Sequence, residues 1–527
     1  MAVYLGLDAS TQSLTATLIE VAAGRRDVIV EDSLVYDRDL PAYVTSHGVI
    51  RPDDPAVVVA PPVMWAEALD VVMARLARTY PAEMARLAAV SGSAQQHGSV
   101  YLTRRGIARL GMLDARLTLA SQIVGAFARP LSPVWMDSST TVECREIEDA
   151  VGGAARLAAH TGAHAFERFT GPQIRAFAKR DPRAYAGTSR IHLISSFMPS
   201  LLAGAEAPID PGDGSGMNLM ELTTKQWWDE AVRVTAPDLA PRLPGIRPSW
   251  TVVGTLAPYW QQRCHLPSAR VIAWSGDNPC SLIGSGLVRE GRLAISLGTS
   301  DTAIGLMAAP RVDESGIGYV SASPTGEYMG TTVFKNGSLA RERIRDQYGL
   351  DWASFSAALL SRPPGNDGAM MLPWFDPEIT PHVISPGVRR IDLDPEDAAA
   401  NVRAVVEAQM MAMANHTRWM GVDTSVVHAT GGAAGNRHVL QVMADVFGAE
   451  VVRSRARNSA SLGAALRAWH ADALADGRPV EWEDVIVGFT EPEPEWRFRP
   501  RPEAVAVYVD LRRRYAETEA TTLRGKS

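Results

Sequence analysis

Residues 3–20 run an apolar strand into a short polar turn and straight back into a second strand, and residues 293–306 repeat the pattern. In the first copy Val3, Leu5 and Leu7 alternate with smaller or polar neighbours, as a half-buried strand requires. Asp8 to Ser13 then supply backbone N–H groups, hydroxyls and one carboxylate. In the second copy Leu293, Ile295 and Leu297 lead into Gly298, Thr299 and Ser300, and the chain returns through Asp301 to Leu306. A turn dense in N–H and hydroxyl donors suits a phosphate. Two such hairpins in one chain predict two related half-sites.

A chain of 527 residues is long enough for more than one domain. The proline- and arginine-rich stretch from 241 to 258 reads as the connection, which predicts domains over 1–250 and 251–490 and a helical extension over 491–527. The net charge of -7 argues against a general nucleic-acid binder, because counterion release needs a basic face. Cys144, Cys264 and Cys280 are widely separated and form no Cys-x-x-Cys pair, so neither a disulfide framework nor a cysteine-rich zinc site is expected. No apolar run reaches the roughly 18 residues that a membrane span needs, and the N-terminus enters a strand carrying Asp8, unlike a signal peptide. The expectation is a cytoplasmic protein. Monomer and homodimer are both compatible with the sequence.

Along the chain, Pro41, Pro52, Pro55, Pro61 and Pro62 predict a surface loop over 31–62. Trp65, Leu69, Val72, Met73 and Leu76 then mark an amphipathic helix. Residues 87–102 read as strand, turn and strand, and the turn holds Gln95, Gln96 and His97; the histidine is a ligand contact or an ordinary surface side chain. Asp137 precedes a charged helix and is either its N-cap or a functional carboxylate. Arg168, beside Phe169, binds hydroxyls or pairs with Glu167. Residues 207–220 form a Gly/Pro/Asp-rich loop, and Trp227 and Trp228 fill a core or line a cleft.

Residues 271–284 carry the strongest chemical signal of the second half. A buried strand ends at Gly276, Asp277 and Asn278, and Pro279 can open a helix because its missing N–H would be unpaired there. A carboxylate at such a strand tip can accept the proton of an attacking hydroxyl; the alternative is a solvated Asp277 beside Asn278 as a cap. Trp352 stacks on a base or anchors a core. Val402, Val405, Val406, Met410 and Met413 mark a core helix. Residues 426–436 pass from strand through a glycine turn into a helix, which admits close backbone approach to an anion. The turn is neither G-x-G-x-x-G nor G-x-x-x-x-G-K-[ST]. Small residues over 459–469 predict a tightly packed helix.

Taken in order, 91–101, 135–140, 167–174, 213–219 and Ser275-Gly276-Asp277-Asn278-Pro279 resemble the motifs of the FGGY carbohydrate kinases, over residues 3 to about 490. The resemblance implies a two-domain α/β architecture of the actin-like, ribonuclease H-like kind, with the active site in the cleft between domains. It is closest to members that phosphorylate D-xylulose, and so implies transfer from ATP to the sugar 5-hydroxyl. Asp277 would be the general base, with His97, Arg168, Asp277 and Asn278 on the sugar. Asp8 would position Mg2+ through water, and Ser10, Thr11, Gly298 and Thr299 would face the phosphates. Trp352, Gly432, Ala433 and Asn436 would hold the adenosine. The partners implied are a sugar and ATP, with no nucleic acid and no membrane. Ala9 stands where many relatives carry glycine, and residues 104–132 match no motif. A sibling kinase for D-ribulose, L-xylulose or a polyol is the near alternative, and an actin-like ATPase switch without a phosphoacceptor the distant one.

Overall fold

The computed structural model describes every residue except 23, 314, 315, 317, 455–457, 526 and 527. The chain forms two compact units. The first comprises Met1–Val288, Val320–Tyr328 and Ala456–Thr490, and the second Arg289–Tyr319, Met329–Arg455 and Glu491–Ser527. The division therefore falls after Val288 and not near residue 250. Val252–Thr255 lies antiparallel to Arg270–Ile272, which runs parallel to Leu87–Ala94, so both strands beyond the proline-rich stretch complete the first sheet. Asp277, expected in the second domain, belongs to the first unit. The stretch 491–527 is no separate extension either, because Pro492–Phe498 pairs with Glu450–Ser454 in the second unit.

The two sheets share one strand order. In the first unit it runs Arg25–Val35, Ser13–Ala22, Ala2–Ala9, Leu87–Ala94, Arg270–Ile272, Val252–Thr255. Six of the seven strands of the second sheet run Tyr328–Phe334, Asp301–Met307, Arg292–Leu297, Val426–Thr430, Glu450–Ser454, Pro492–Phe498. The opening strand of each hairpin is thus paired antiparallel with its return strand and parallel with the strand on its other side. Parallel neighbours must be covered on both faces. Accordingly Val3, Leu5 and Leu7 join a core with Trp65, Leu69 and Met73 of the helix Pro62–Thr79. Tyr4 faces the opposite core, with Leu466 and Trp469 of the helix Ser459–Ala475.

The small residues of that last helix serve a close crossing. A Cβ at Gly463 would lie 1.9 Å from the Cys280 carbonyl oxygen, and one at Gly284 would lie 1.9 Å from that of Ser459. The helix Asp277–Gly284 is therefore clamped, backbone on backbone, against a helix that itself lies on the sheet. In the second unit Val402, Val405, Val406, Met410 and Met413 are buried on the helix Ala398–His416.

The expected surface loop over 31–62 begins later than the prolines suggest. The strand continues to Val35, and Tyr36 is buried behind it. All three cysteines are free and buried. Among the described residues no helix is long and apolar enough to cross a membrane.

Candidate active site

In the first unit the carboxyl ends of three neighbouring strands meet. The register sets Asp8 of Ala2–Ala9 against Ser93 of Leu87–Ala94, and Ser275 of the short strand Ser275–Gly276 against the same Ser93. Ser93 Oγ donates to Asp8 Oδ1 at 2.7 Å. Asp277 follows Gly276 directly as the first residue of its helix, and its Oδ1 accepts the Asn278 backbone N–H at 2.8 Å. Among the described residues neither carboxylate has a lysine or arginine ion-pair partner. Desolvation raises Asp8 to about 6. Burial first, and the Asp8 charge second, raise Asp277 to about 7. A carboxylate in that range can take a proton from a hydroxyl near neutrality and release it again.

The turn after Leu87–Ala94 brings the next group. His97 has φ 70°, a left-handed conformation uncommon for a non-glycine residue. Its ring stacks on Phe169 with centroids 4.6 Å apart, and its Nδ1 lies 3.1 Å from the Gly216 carbonyl oxygen. With the hydrogen on Nδ1, Nε2 is an acceptor. Burial, then the nearby Arg168 charge, depress His97 to about 3, so the ring is neutral at working pH. The histidine is buried, which removes the surface reading. Arg168 lies over Phe166 at 4.8 Å and Phe169 at 5.5 Å. No carboxylate among the described residues pairs with it, and Glu167 instead accepts from Thr141. Asn278 is exposed, and its Nδ2 donates to Gln96 Oε1 at 2.8 Å. It is not a cap, because Gly276 occupies that position.

Ser10 and Thr11 sit in the turn after Asp8. Ser10 Oγ lies 3.1 Å from both the carbonyl oxygen and the hydroxyl of Ser13. Thr11 Oγ1 accepts from Trp135 Nε1 at 2.9 Å. Both hydroxyls are thus already engaged in shaping the turn.

In the second unit the equivalent strand ends are glycine-lined. Gly298 and Thr299 follow Arg292–Leu297, and the parallel neighbour Val426–Thr430 runs into the turn Gly432–Gly435. Gly431 has φ 85°, and a Cβ there would meet the Leu297 carbonyl oxygen at 2.6 Å, so only glycine lets the two turns lie side by side. A cavity of about 710 Å³ opens beside them, lined among others by Trp352, Ser356, Gly432, Ala433 and Asn436. Trp352 is 45% exposed with Arg345 4.7 Å over its ring, which removes the core reading. Asn436 Oδ1 caps the helix Arg437–Phe447 by accepting from His438 and Val439, while its Nδ2 donates to Ser356 Oγ at 2.8 Å. Gly298 and Thr299 border this cavity rather than line it: Gly298 accepts from the backbone of Ser338, a lining residue, at 2.9 Å.

Residues 127–284 match the N-terminal domain of the FGGY family of carbohydrate kinases, and residues 293–471 its C-terminal domain. The xylulose kinase of Rattus norvegicus is 40% identical over 98% of this chain and 97% of its own. The chain belongs to the FGGY family of carbohydrate kinases. The fold agrees: a xylulose kinase from Rhodospirillum rubrum superposes with a TM-score of 0.82 at 20% identity, covering 98% of both chains. A gluconate kinase from Lactobacillus acidophilus does so with 0.80 at 17% identity, covering 99% of this chain and 98% of its own. The actin-like ATPase fold is therefore shared by kinases named for different sugars.

Asp137, read as a cap or a functional carboxylate, is not the cap: it is buried, Oδ2 accepts the Val58 N–H, and Oδ1 accepts from Ser139 and from Gln173 Nε2 at 2.7 Å. The cap position of the following helix is Thr140. Ser93 and Ser195 carry no spacing that marks them, and only strand register and turn packing bring Ser93 to Asp8 and Ser195 to Asp213. Residues 104–132 hold two short helices, Arg104–Leu110 and Leu119–Ile123, each opened by a threonine side-chain cap.

Proposed function

We propose that this kinase transfers the γ-phosphoryl group of ATP to the 5-hydroxyl of D-xylulose, giving D-xylulose 5-phosphate and ADP. The observation that carries the reading is Asp277, a strand-end carboxylate without a cationic partner among the described residues and held at about 7. It accepts the hydroxyl proton as the sugar oxygen forms its bond to the γ-phosphorus and the bond to ADP breaks. His97 Nε2 accepts a sugar hydroxyl, and Arg168 and Asn278 donate to others. The cavity of the second unit takes the adenosine, with Trp352 on the base and the 432–436 turn beside the ribose. Ser10, Thr11, Gly298 and Thr299 offer backbone donors to the phosphates.

The donors around Asp8 fit Mg2+. No group of three or more His, Cys, Asp or Glu side chains able to hold a metal occurs among the described residues. Mg2+ suits a site of this kind, because it keeps waters and shares one or two carboxylates with substrate phosphates. Asp8 would hold the ion through water, its carboxylate having no cationic partner among the described residues. When bound, the ion neutralises charge on the phosphates. The free thiols agree with a reducing, cytoplasmic setting.

The choice of D-xylulose rests on the relative at 40% identity, whose name gives xylulose. The gluconate kinase neighbour keeps a second reading open, a different ketopentose or polyol on the same frame. ADP release measured with D-xylulose, D-ribulose, L-xylulose and a polyol decides between them. The proposal expects the highest kcat/KM for D-xylulose. Faster turnover of another sugar moves the assignment to that sugar, and sugar-independent turnover points to an ATPase switch.

A further inference from the structure

The loop that follows the strand Arg25–Val35 packs against the turn of the first hairpin. That strand pairs with the return strand Ser13–Ala22, and just beyond it the Tyr36 N–H donates to the Gln12 carbonyl at 2.9 Å. Further along, Ser46 and Val49 pair across a tight turn in which His47 has φ 54° and Gly48 φ 76°. Two successive residues of positive φ make the hairpin turn that favours glycine. The bare face of Gly48 lies on Thr11: a Cβ there would sit 1.9 Å from the Thr11 carbonyl oxygen and 2.9 Å from the Gln12 Cα.

Asp37 holds the 46–49 turn in shape. Its Oδ1 accepts from the Thr45 hydroxyl at 2.7 Å and from the Gly48 N–H at 3.0 Å, and its Oδ2 accepts the His47 N–H at 2.6 Å. Both carboxylate oxygens are therefore in use. The second hairpin repeats the glycine. The strand Tyr328–Phe334 lies beside the return strand Asp301–Met307, and a Cβ at Gly337, beyond its end, would sit 2.8 Å from the Thr299 carbonyl oxygen. In both units a glycine that follows the flanking strand forms a wall against the carbonyl of the turn threonine.

We infer that Gly48, with Asp37 behind it, is a positioning residue that sets the Ser10–Gln12 turn for the phosphates of ATP. The inference rests on the reading of that turn as a phosphate contact. Because a peptide is planar, moving the Thr11 carbonyl off Gly48 rotates the N–H of the same peptide, and the donors of the turn lose their aim.

The test is steady-state kinetics with sugar and ATP varied separately and adenosine as a competitive inhibitor, after wild-type enzyme has been checked for sugar-dependent ADP release. Absence of that release would defeat the functional reading, and the inference with it. Given the release, Gly48→Ala should lower kcat/KM for ATP about tenfold to 10²-fold, the effect of misplacing a group by about 1 Å. The KM for sugar and the Ki of adenosine, which has no phosphate, should each move less than about twofold. A general loss of folding would not produce that split.

Asp37→Asn replaces one accepting oxygen with an NH2 group and should show the same split at about threefold. His47→Asn keeps the N–H and a residue that tolerates the left-handed backbone, and should stay near wild type. If Gly48→Ala does not fold, Asp37→Asn decides, because its side chain is exposed. A kcat/KM for ATP at the wild-type value in the deciding variant would overturn the inference. So would sugar and adenosine constants that rise together with that of ATP.

Discussion

The two units bury carboxylates at or near their hairpins and give them different partners. At the second hairpin Asp301 is buried against Arg341, with contacts at 3.0 and 3.1 Å, and Arg341 is in turn held by Gln409 at 2.7 Å. Glu407 is buried against Arg403 in the same unit. In the first unit Asp8, at the hairpin, and Asp277, at the start of its helix, have only hydroxyl and amide partners among the described residues; desolvation raises all four carboxyls, and only in the second unit does an arginine oppose the rise. A buried acid with a cation beside it is fixed as structure. One without a cation is left able to exchange a proton or attract a metal ion. The comparison separates two settings: the second unit holds a glycine-lined cavity, and the first holds the carboxylates to which we assign the chemistry.

The sharpest way to break this comparison is to remove the cation from the second unit. Arg341→Met leaves Asp301 buried and unpaired and should cost about 3 to 5 kcal/mol of stability, read as a lowered Tm. A variant melting with wild type would show that the pair is not the structural element we describe. Next in size is the acceptor contact. His97→Ala should raise the KM for sugar about tenfold, a loss of about 1.4 kcal/mol, with little change for ATP. Because the wild-type ring is neutral, no histidine titration should enter the sugar KM between pH 5.5 and 8. Trp352→Ala should do the converse, raising the KM for ATP by roughly threefold to tenfold, in line with about 1 kcal/mol for one stacking ring.

The smallest effect concerns stability against pH. The folded pKa of Asp277 is about 7, above its ordinary 3.8. Between those values the folded protein binds more protons than the unfolded chain, so stability falls as pH rises through the window. Asp277→Asn removes that penalty. In chelator and without nucleotide, its Tm should exceed that of wild type at pH 8 by about 2 °C or more, with a smaller gap at pH 5. A gap that narrows towards pH 8 would mean that the carboxylate is not desolvated as described.

Much of the frame was legible because it rests on local pattern. The alternation of Val3, Leu5 and Leu7 and its echo at Leu293, Ile295 and Leu297 gave both hairpins, and the period of Trp65 to Leu76 gave the helix behind the first. The boundary was not legible. Prolines near 250 mark local irregularity, whereas unit membership depends on Arg270–Ile272 returning beside Leu87–Ala94, a pairing between residues far apart in sequence. The same limit explains the site. His97, Asp277 and Asn278 stand out beside turns, but Ser93 acquires meaning only when strand register sets it against Asp8. Asp137 read equally as a cap or a functional carboxylate, because aspartates before helices often cap them; its partners Val58 and Gln173 lie far along the chain.

The central claim is that Asp277 takes the proton of the sugar hydroxyl, and sugar-dependent ADP release by Asp277→Asn tests it most directly. The substitution keeps the size of the side chain and removes its basicity. The account predicts that kcat with D-xylulose falls roughly 10²- to 10⁴-fold, while the KM for ATP stays close to wild type. Turnover within a few-fold of wild type would contradict it.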